Sequence, residues 1–253
     1  MTIALVGHVT VDEVRLPGHQ PEVRPGGAPL YGLRALRAVG AEPVVIVKGT
    51  GMDADLVLPG GPVRSILMHG PDGLEQRLDA VGEPFTADEV RGPMAELLSG
   101  CSWALLGAQS GGDFPAATIQ AFVDAGLHVC LDAQGLARGS ETGPVRLRSF
   151  EADAVAGVTA LKLNREEAQA LEDALDELRA TVPELLITDG PRGATVITRE
   201  GAVQAAGSSR PFPDPTGAGD SFTAAYLLER ERGRDPETAA NRAVALVEAL
   251  YDR

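Results

Sequence analysis

The sequence predicts an α/β fold whose mostly parallel central sheet is covered by helices on both faces. Three observations lead there. Short apolar runs alternate with segments of helical period along all 253 residues, the pattern of strand–helix–strand units. The apolar runs are nearly continuous rather than alternating, as in strands buried on both faces. No proline-, glycine- or serine-rich linker interrupts the order, so residues 1–253 read as one domain.

Taken in order, strands are expected at 3–6, 44–47, 103–106, 129–132, 160–163, 185–188, 194–197 and 203–206. Helices are expected between them. The first, 29–39, follows a glycine pair and carries Pro29 in its first turn, where the missing N–H costs nothing. The next, 86–98, opens with Thr86 and Glu89, the spacing of a capping box. Helices at 115–125, 164–180, 218–231 and 236–250 follow; in the last, Ala240, Ala243, Val244, Val247 and Leu250 share one face. Right-handed crossovers then join the strands. Residues 62–84 break the rhythm and read as two strands around a Pro-Asp-Gly turn, a hairpin that projects as a partial cover over a site. Segment 134–149 reads as a polar surface loop with a short helix.

Composition excludes several roles. The formal net charge of −14 argues against nucleic acid or an anionic membrane surface as the main partner, because both are bound through concentrated positive charge. Lys48 and Lys162 are the only lysines, so a phosphate must be held by helix N-termini, a metal ion or single arginines. No apolar run is long enough to span a bilayer, and the start, MTIALVGHVTVDEV, has no basic region of a signal peptide. Cys101 and Cys130 sit in apolar strand-like runs and read as buried, inert thiols, which fits a cytoplasmic setting. His8, His19, His69 and His128 lack metal-ligand spacing and read as structural or exposed.

The strongest chemical signal is Asp214-Pro215-Thr216-Gly217-Ala218-Gly219-Asp220, running directly into an apolar helix. Free N–H groups of a first helical turn, with the helix dipole, form an anion site. A carboxylate beside that site does not improve phosphate binding. It makes sense as a base for a hydroxyl attacking phosphorus, or, more blandly, as a charge that stabilises the helix dipole.

DPTGAGDSFTAA, 214–225, closely resembles the C-terminal signature of the ribokinase-like family, the PfkB carbohydrate kinases. The resemblance implies a three-layer sandwich with a central, mostly parallel sheet and, here, a reduced β lid. It implies that Asp220 is the catalytic base and that the amides of Gly217, Ala218 and Gly219 stabilise the transferring phosphoryl group. It also places a monovalent cation near Asp214, although Pro215 stands where the family commonly has threonine. Gly26-Gly27-Ala28-Pro29 resembles the family's N-terminal glycine pair, against which a polyol lies, and Asp12 matches the aspartate that grips substrate hydroxyls. Tyr31 stands where asparagine is common. Asn164-Arg165-Glu166-Glu167 resembles the Asn-x-x-Glu motif that positions Mg²⁺ through water; by spacing alone Asn164 and Glu167 form a capping box. Leu186–Ala194 resembles the nucleotide-phosphate loop, with Thr188, Gly190 and Gly193 at matching positions, and Arg192 within reach of a phosphate or of solvent. Asp132-Ala133-Gln134-Gly135, with Arg138 just after, looks like a segment of inositol-kinase-like members.

The implied function is ATP-dependent phosphorylation of a hydroxyl on a small polyol (a sugar, a cyclitol such as inositol, or a nucleoside), with Mg²⁺, as monomer or dimer. Two departures stand beside it. Little room is left for lid strands between Asp12 and Gly26, and the sequence stops soon after the last helix, where relatives contribute to the adenine pocket. The alternative is a nucleotide- or metabolite-binding regulatory protein of the same fold with weakened catalysis. A dinucleotide oxidoreductase is disfavoured because Gly7-His8-Val9-Thr10 lacks the glycine-rich fingerprint.

Overall fold

A computed structural model describes residues 2–61, 63–70 and 73–251. The first half of the chain runs β1 (Thr2–His8), β2 (Thr10–Arg15), β3 (Glu22–Gly26), α1 (Ala28–Ala38), β4 (Val44–Lys48), β5 (Leu56–Leu58), β6 (Val63–Gly70), β7 (Gly73–Ala80), α2 (Ala87–Arg91), α3 (Ala95–Leu98), β8 (Cys101–Gly107) and α4 (Ala116–Asp124). The second half runs β9 (His128–Asp132), α5 (Gln134–Arg138), β10 (Gly143–Pro144), β11 (Ala160–Asn164), α6 (Arg165–Ala170), α7 (Leu175–Thr181), β12 (Glu184–Thr188), β13 (Gly193–Thr198), β14 (Gly201–Ala206), α8 (Ala218–Glu231) and α9 (Pro236–Tyr251).

Nine strands form the central sheet in the order β14-β13-β12-β11-β9-β8-β1-β4-β5. Only β13 runs against its neighbours, pairing antiparallel with β12 and β14. Successive residues of each strand feed opposite cores, which is why the apolar runs are continuous. Ala4 and Val6 of β1 pack on one side with Val90, Ile119 and Phe122. Ile3 and Leu5 pack on the other with Leu36, Phe222, Tyr226 and Val244. The result is three layers, helix–sheet–helix, with α1, α8 and α9 on one face.

The parallel strands bring the carboxyl ends of β1, β9, β11 and β12 to one edge. Register sets Asp132 beside Lys162 and Asn164 beside Thr188. In open α/β sheets this edge is where ligands bind.

A second sheet of order β10-β7-β6-β2-β3 stands over that edge. The expectation of little room for strands between Asp12 and Gly26 is therefore corrected. Strands of six and five residues, β2 and β3, pair antiparallel within that stretch, because a tight reversal around Gly18 at φ 75° spends few residues on the turn. β6 and β7 pair antiparallel as the 62–84 pattern predicted, while Pro71 and Asp72 of the expected turn lie outside the described residues.

Two predicted helices are broken. The 86–98 segment divides into α2 and α3 at Gly92-Pro93, since proline has no amide to continue the ladder. The 164–180 segment divides at a 3₁₀ turn, Glu172–Ala174. No breaker residue marks it; tertiary burial of Leu171 and Leu178 on either side of the turn overrides the local pattern. The capping box at Thr86 and Glu89 forms, and Cys101 and Cys130 are buried and unpaired.

Candidate active site

A cleft of about 790 Å³ runs between the carboxyl edge of the central sheet, the second sheet and the start of α8. Asp12, Gly27, Asn164, Thr188, Gly190, Gly193, Gly217, Ala218, Gly219 and Asp220 all line it. Gly26, Glu167 and Asp214 do not.

At one end Asp12 of β2 is buried, and its Oδ1 accepts a hydrogen bond from Ser65 Oγ at 2.6 Å. Burial raises its pKa, and the Ser65 bond and the nearby Arg24 charge oppose the rise. Gly26 is required here because a Cβ would stand 1.9 Å from Asp12 Oδ2. Gly27, at φ 102°, would meet His8 O at 2.3 Å. Three amides complete this end: Gln76, Gln109 and Gln134 line the cleft, and of these the sequence reading named only Gln134, within the 132–135 segment. Gln134 Nε2 donates to Gln109 Oε1 at 3.2 Å, and Gln76 Oε1 is buried with no partner. They come from β7, the turn after β8 and the start of α5, elements far apart in sequence, so no local motif announces them.

At the middle, Gly217 is the N-cap of α8, at φ 81° and ψ 3°. The ring of Tyr31 fills the space where a Cβ would stand, with Cγ 2.1 Å from that position. Of the three amides expected to meet a phosphoryl group, that of Ala218 donates to Pro215 O at 3.1 Å. It is turned into the loop. The N–H groups of Gly217 and Gly219 have no backbone partner among the described residues.

Asp220, in the first turn of α8, has its pKa pushed up to about 7, first by removal from bulk water and then by the Asp132 carboxylate; Lys162 and Arg138 pull the other way. Lys162 Nζ lies 3.1 Å from Asp132 Oδ2, and 3.4 Å from the place a Cβ on Gly219 would take. It is a buried cation under the mouth of α8, held charged by Asp132, Glu167 and Asp220 against the cost of burial. Its signal in the sequence is a lysine inside the apolar run ALKLN. Arg138 also lines the cleft; its Nη1 is buried without a partner, and a second guanidinium nitrogen lies 3.9 Å from Glu167 Oε1.

Asn164 and Glu167 form the capping box: Asn164 Oδ1 accepts from Glu167 N at 2.7 Å and Glu167 Oε2 from Asn164 N at 2.8 Å. Each thereby spends one polar atom on the helix. Glu167 Oε1 is buried without a hydrogen-bond partner, with the Arg138 guanidinium 3.9 Å away. That free acceptor capacity fits an outer-sphere role toward a hydrated Mg²⁺, accepting a hydrogen bond from a bound water. It does not fit a cage of direct ligands, since among the described residues no cluster of three or more acidic, histidine or cysteine side chains is placed to hold a metal.

At the far end, Thr188 Oγ1 donates to Leu163 O at 3.3 Å. Gly190 and Gly193 have φ of 53° and 102°, and a Cβ on Gly193 would stand 2.0 Å from Ala205 O. Arg192 folds back on Asp189, its Nε 2.8 Å from Oδ2. Beyond this loop the wall is apolar, from Phe212, Val244 and Val247.

Asp214 faces a smaller cavity of about 340 Å³. Its Oδ1 accepts from Thr216 N at 3.0 Å and its Oδ2 from Arg24 Nη2. Each oxygen accepts one hydrogen bond, and the guanidinium balances the carboxylate charge.

Residues 146–249 match the model of the pfkB family carbohydrate kinases. That match covers the C-terminal part of the chain, and the fold is that of ribokinase-like structures. Over its whole length the chain superposes on a pyrophosphate-dependent kinase of the ribokinase family complexed with a pyrophosphate analog and myo-inositol, with TM-score 0.85, 20% identity and 96% of that chain covered. The nucleoside kinase of Burkholderia thailandensis in complex with inosine gives TM-score 0.75 at 20% identity, 100% of this chain and 92% of that one being covered. The ribokinase of Arabidopsis thaliana complexed with ribose and ATP gives 0.67 at 18%, covering 100% and 93%. Among the described residues no helix is long and apolar enough to cross a membrane.

Proposed function

We propose that this protein is a kinase that transfers the terminal phosphoryl group of ATP to a hydroxyl of a small, uncharged polyol. One observation carries the reading: Asp12 and Asp220 border the same cleft, with Asp220 on the amide-bearing first turn of α8. In this reading Asp12 and the glycine pair Gly26–Gly27 hold the acceptor, and Gln76, Gln109 and Gln134 complete its pocket. A substrate hydroxyl gives its proton to the Asp220 carboxylate as its oxygen bonds to the γ-phosphorus, and the bond from that phosphorus to the bridging oxygen of ADP breaks. The N–H groups of Gly217 and Gly219, the dipole of α8 and the Arg138 guanidinium absorb the charge on the transferring group. Thr188, Gly190 and Gly193 hold the remaining phosphates. Glu167 and Asn164 orient the water around Mg²⁺, which when bound shields the phosphate charge. The whole chain works as one domain, with the second sheet, β6–β7 included, as a lid that keeps water from the reacting phosphate. Buried free cysteines agree with a cytoplasmic setting.

A raised pKa favours the base role over a dipole-stabilising one. An aspartate near pH 7 takes a proton and later releases it, whereas a charge that serves only the helix gains by staying ionised.

The acceptor end bears three amides, the Ser65 hydroxyl and the Asp12 carboxylate, and the neighbouring Arg24 is bonded to Asp214. That composition suits hydroxyls all around a ring, as in a cyclitol, over a sugar phosphate. The apolar wall of Phe212, Val244 and Val247 suits a nucleobase and supports ATP. Pyrophosphate is the second reading for the donor, favoured by the TM-score of 0.85 to a kinase that uses it. The experiment is a matrix of acceptors (inositols, free sugars, sugar phosphates, nucleosides) against ATP and pyrophosphate, read by phosphorylated product. ATP-dependent phosphorylation of an uncharged polyol is expected. Binding of both ligands with no product from any pair would support the regulatory alternative instead.

A further inference from the structure

The contact between Arg24 and Asp214 joins two parts of the molecule that the chain separates by 190 residues. Arg24 sits on β3, directly across the ladder from Asp12 on β2. Its guanidinium therefore stands beside the acceptor carboxylate at one side, opposing the burial-driven rise in the pKa of Asp12, and bonds Asp214 at the other. Asp214 in turn holds Thr216 N, one residue before the N-cap of α8. A second side chain of the same sheet makes a parallel contact: His69 Nε2, on β6, lies 3.2 Å from Thr216 Oγ1. The second sheet thus reaches the anion-binding turn through two side chains from two strands.

Each Asp214 oxygen already accepts one hydrogen bond, that on Oδ2 from a guanidinium, and Pro215 offers no N–H and no hydroxyl beside it. We propose that the Arg24 guanidinium serves as a built-in cation at Asp214, fixing the 214–217 turn that opens α8, so that the site needs no dissolved monovalent ion. A guanidinium differs from such an ion in being tethered: the turn is set only when β3 is seated. Closure of the second sheet over the acceptor and ordering of the Gly217 and Gly219 amides become one event. Arg24 is on this account a positioning residue, acting through Asp214 and Thr216.

This inference rests on the kinase reading for its turnover assay but not for its binding assay. Inorganic pyrophosphate binding to the full chain is measured by calorimetry in KCl, NaCl and choline chloride at equal ionic strength, for wild type, Arg24→Ala and Arg24→Gln. Polyol phosphorylation is measured in the same salts. Wild type is expected to bind and turn over alike, within about twofold, in all three. Removing a charged hydrogen bond is expected to weaken pyrophosphate binding by about tenfold or more, in both variants, with recovery on adding guanidinium chloride or KCl to choline buffer. Wild-type binding that rises severalfold with K⁺ over choline would overturn the proposal. So would unchanged binding in both Arg24 variants. If no polyol is phosphorylated, the kinase reading fails while the salt dependence of pyrophosphate binding still decides the role of Arg24. Unfolding of one variant leaves the other, and the wild-type salt comparison stands without either.

Discussion

Lys162 Nζ lies 3.1 Å from Asp132 Oδ2, buried beneath the turn that opens α8. This pair balances charge where Asp132, Glu167 and Asp220 converge, with Arg138 as the second cation. Removing one partner of a buried pair leaves an uncompensated charge. Lys162→Met is therefore expected to cost about 3–5 kcal/mol of stability, measured by urea unfolding. Lys162→Met with Asp132→Leu recovers much of the loss, because no bare charge is left in that pair.

The pH profile follows from Asp220. Its pKa is pushed up to about 7 by burial and by the Asp132 charge, and the acting form is the ionised one. Polyol phosphorylation measured as kcat/KM is expected to fall about tenfold per pH unit below 7 and to level off above it. In Lys162→Arg, which keeps the charge, the midpoint stays near its wild-type value. In a folded fraction of Lys162→Met it moves upward.

The same shift has a stability sign. Asp220 takes up its proton more readily in the folded chain than at the ordinary value of 3.8, so its contribution is fully present below about pH 4 and is lost as pH rises through about 7. Asp220→Asn removes that pH-dependent loss. Its melting temperature is expected to gain on wild type between pH 5 and pH 8, a comparison that thermal scans at the two pH values make directly.

Gly217 combines a left-handed backbone with the Tyr31 ring at the place of a side chain. Gly217→Ala is expected to lose about 1–3 kcal/mol and to depress turnover more than acceptor affinity, since the amide is displaced while Asp12 is untouched. Adding Tyr31→Ala relieves the contact but not φ, so it restores part of the stability, as chemical denaturation will show.

Arg138→Met is expected to leave acceptor binding near wild type and to cut kcat by about 10²–10³. The separation of acceptor KM from kcat in steady-state kinetics distinguishes this from general damage at the sheet edge.

Much of the architecture was legible because burial on both faces writes itself as continuous apolar runs, as in β1, β8 and β11. The turn at 214–220 was legible because glycine, carboxylate and helix start are contiguous. What was missed is long-range. Gln76, Gln109 and Gln134 meet only in the folded chain, and the Arg24–Asp214 contact spans 190 residues. The edge strand β3 was missed because it is exposed at Glu22, Val23 and Pro25 and carries a proline; β2 was missed because two of its three buried positions, Thr10 and Asp12, are polar. The capping box at Asn164 and Glu167 was visible by spacing, but that Glu167 Oε1 would remain buried without a hydrogen-bond partner was not.

Turnover of Asp220→Asn tests the central claim most directly. The variant is to be assayed with ATP and the polyol that the acceptor screen returns, after confirming that its circular dichroism and acceptor affinity match wild type. The account predicts a fall in kcat of at least about 10³, the order expected when a positioned base is lost, with binding of both ligands intact. A variant that folds, binds both ligands and turns over within a few fold of wild type would contradict it.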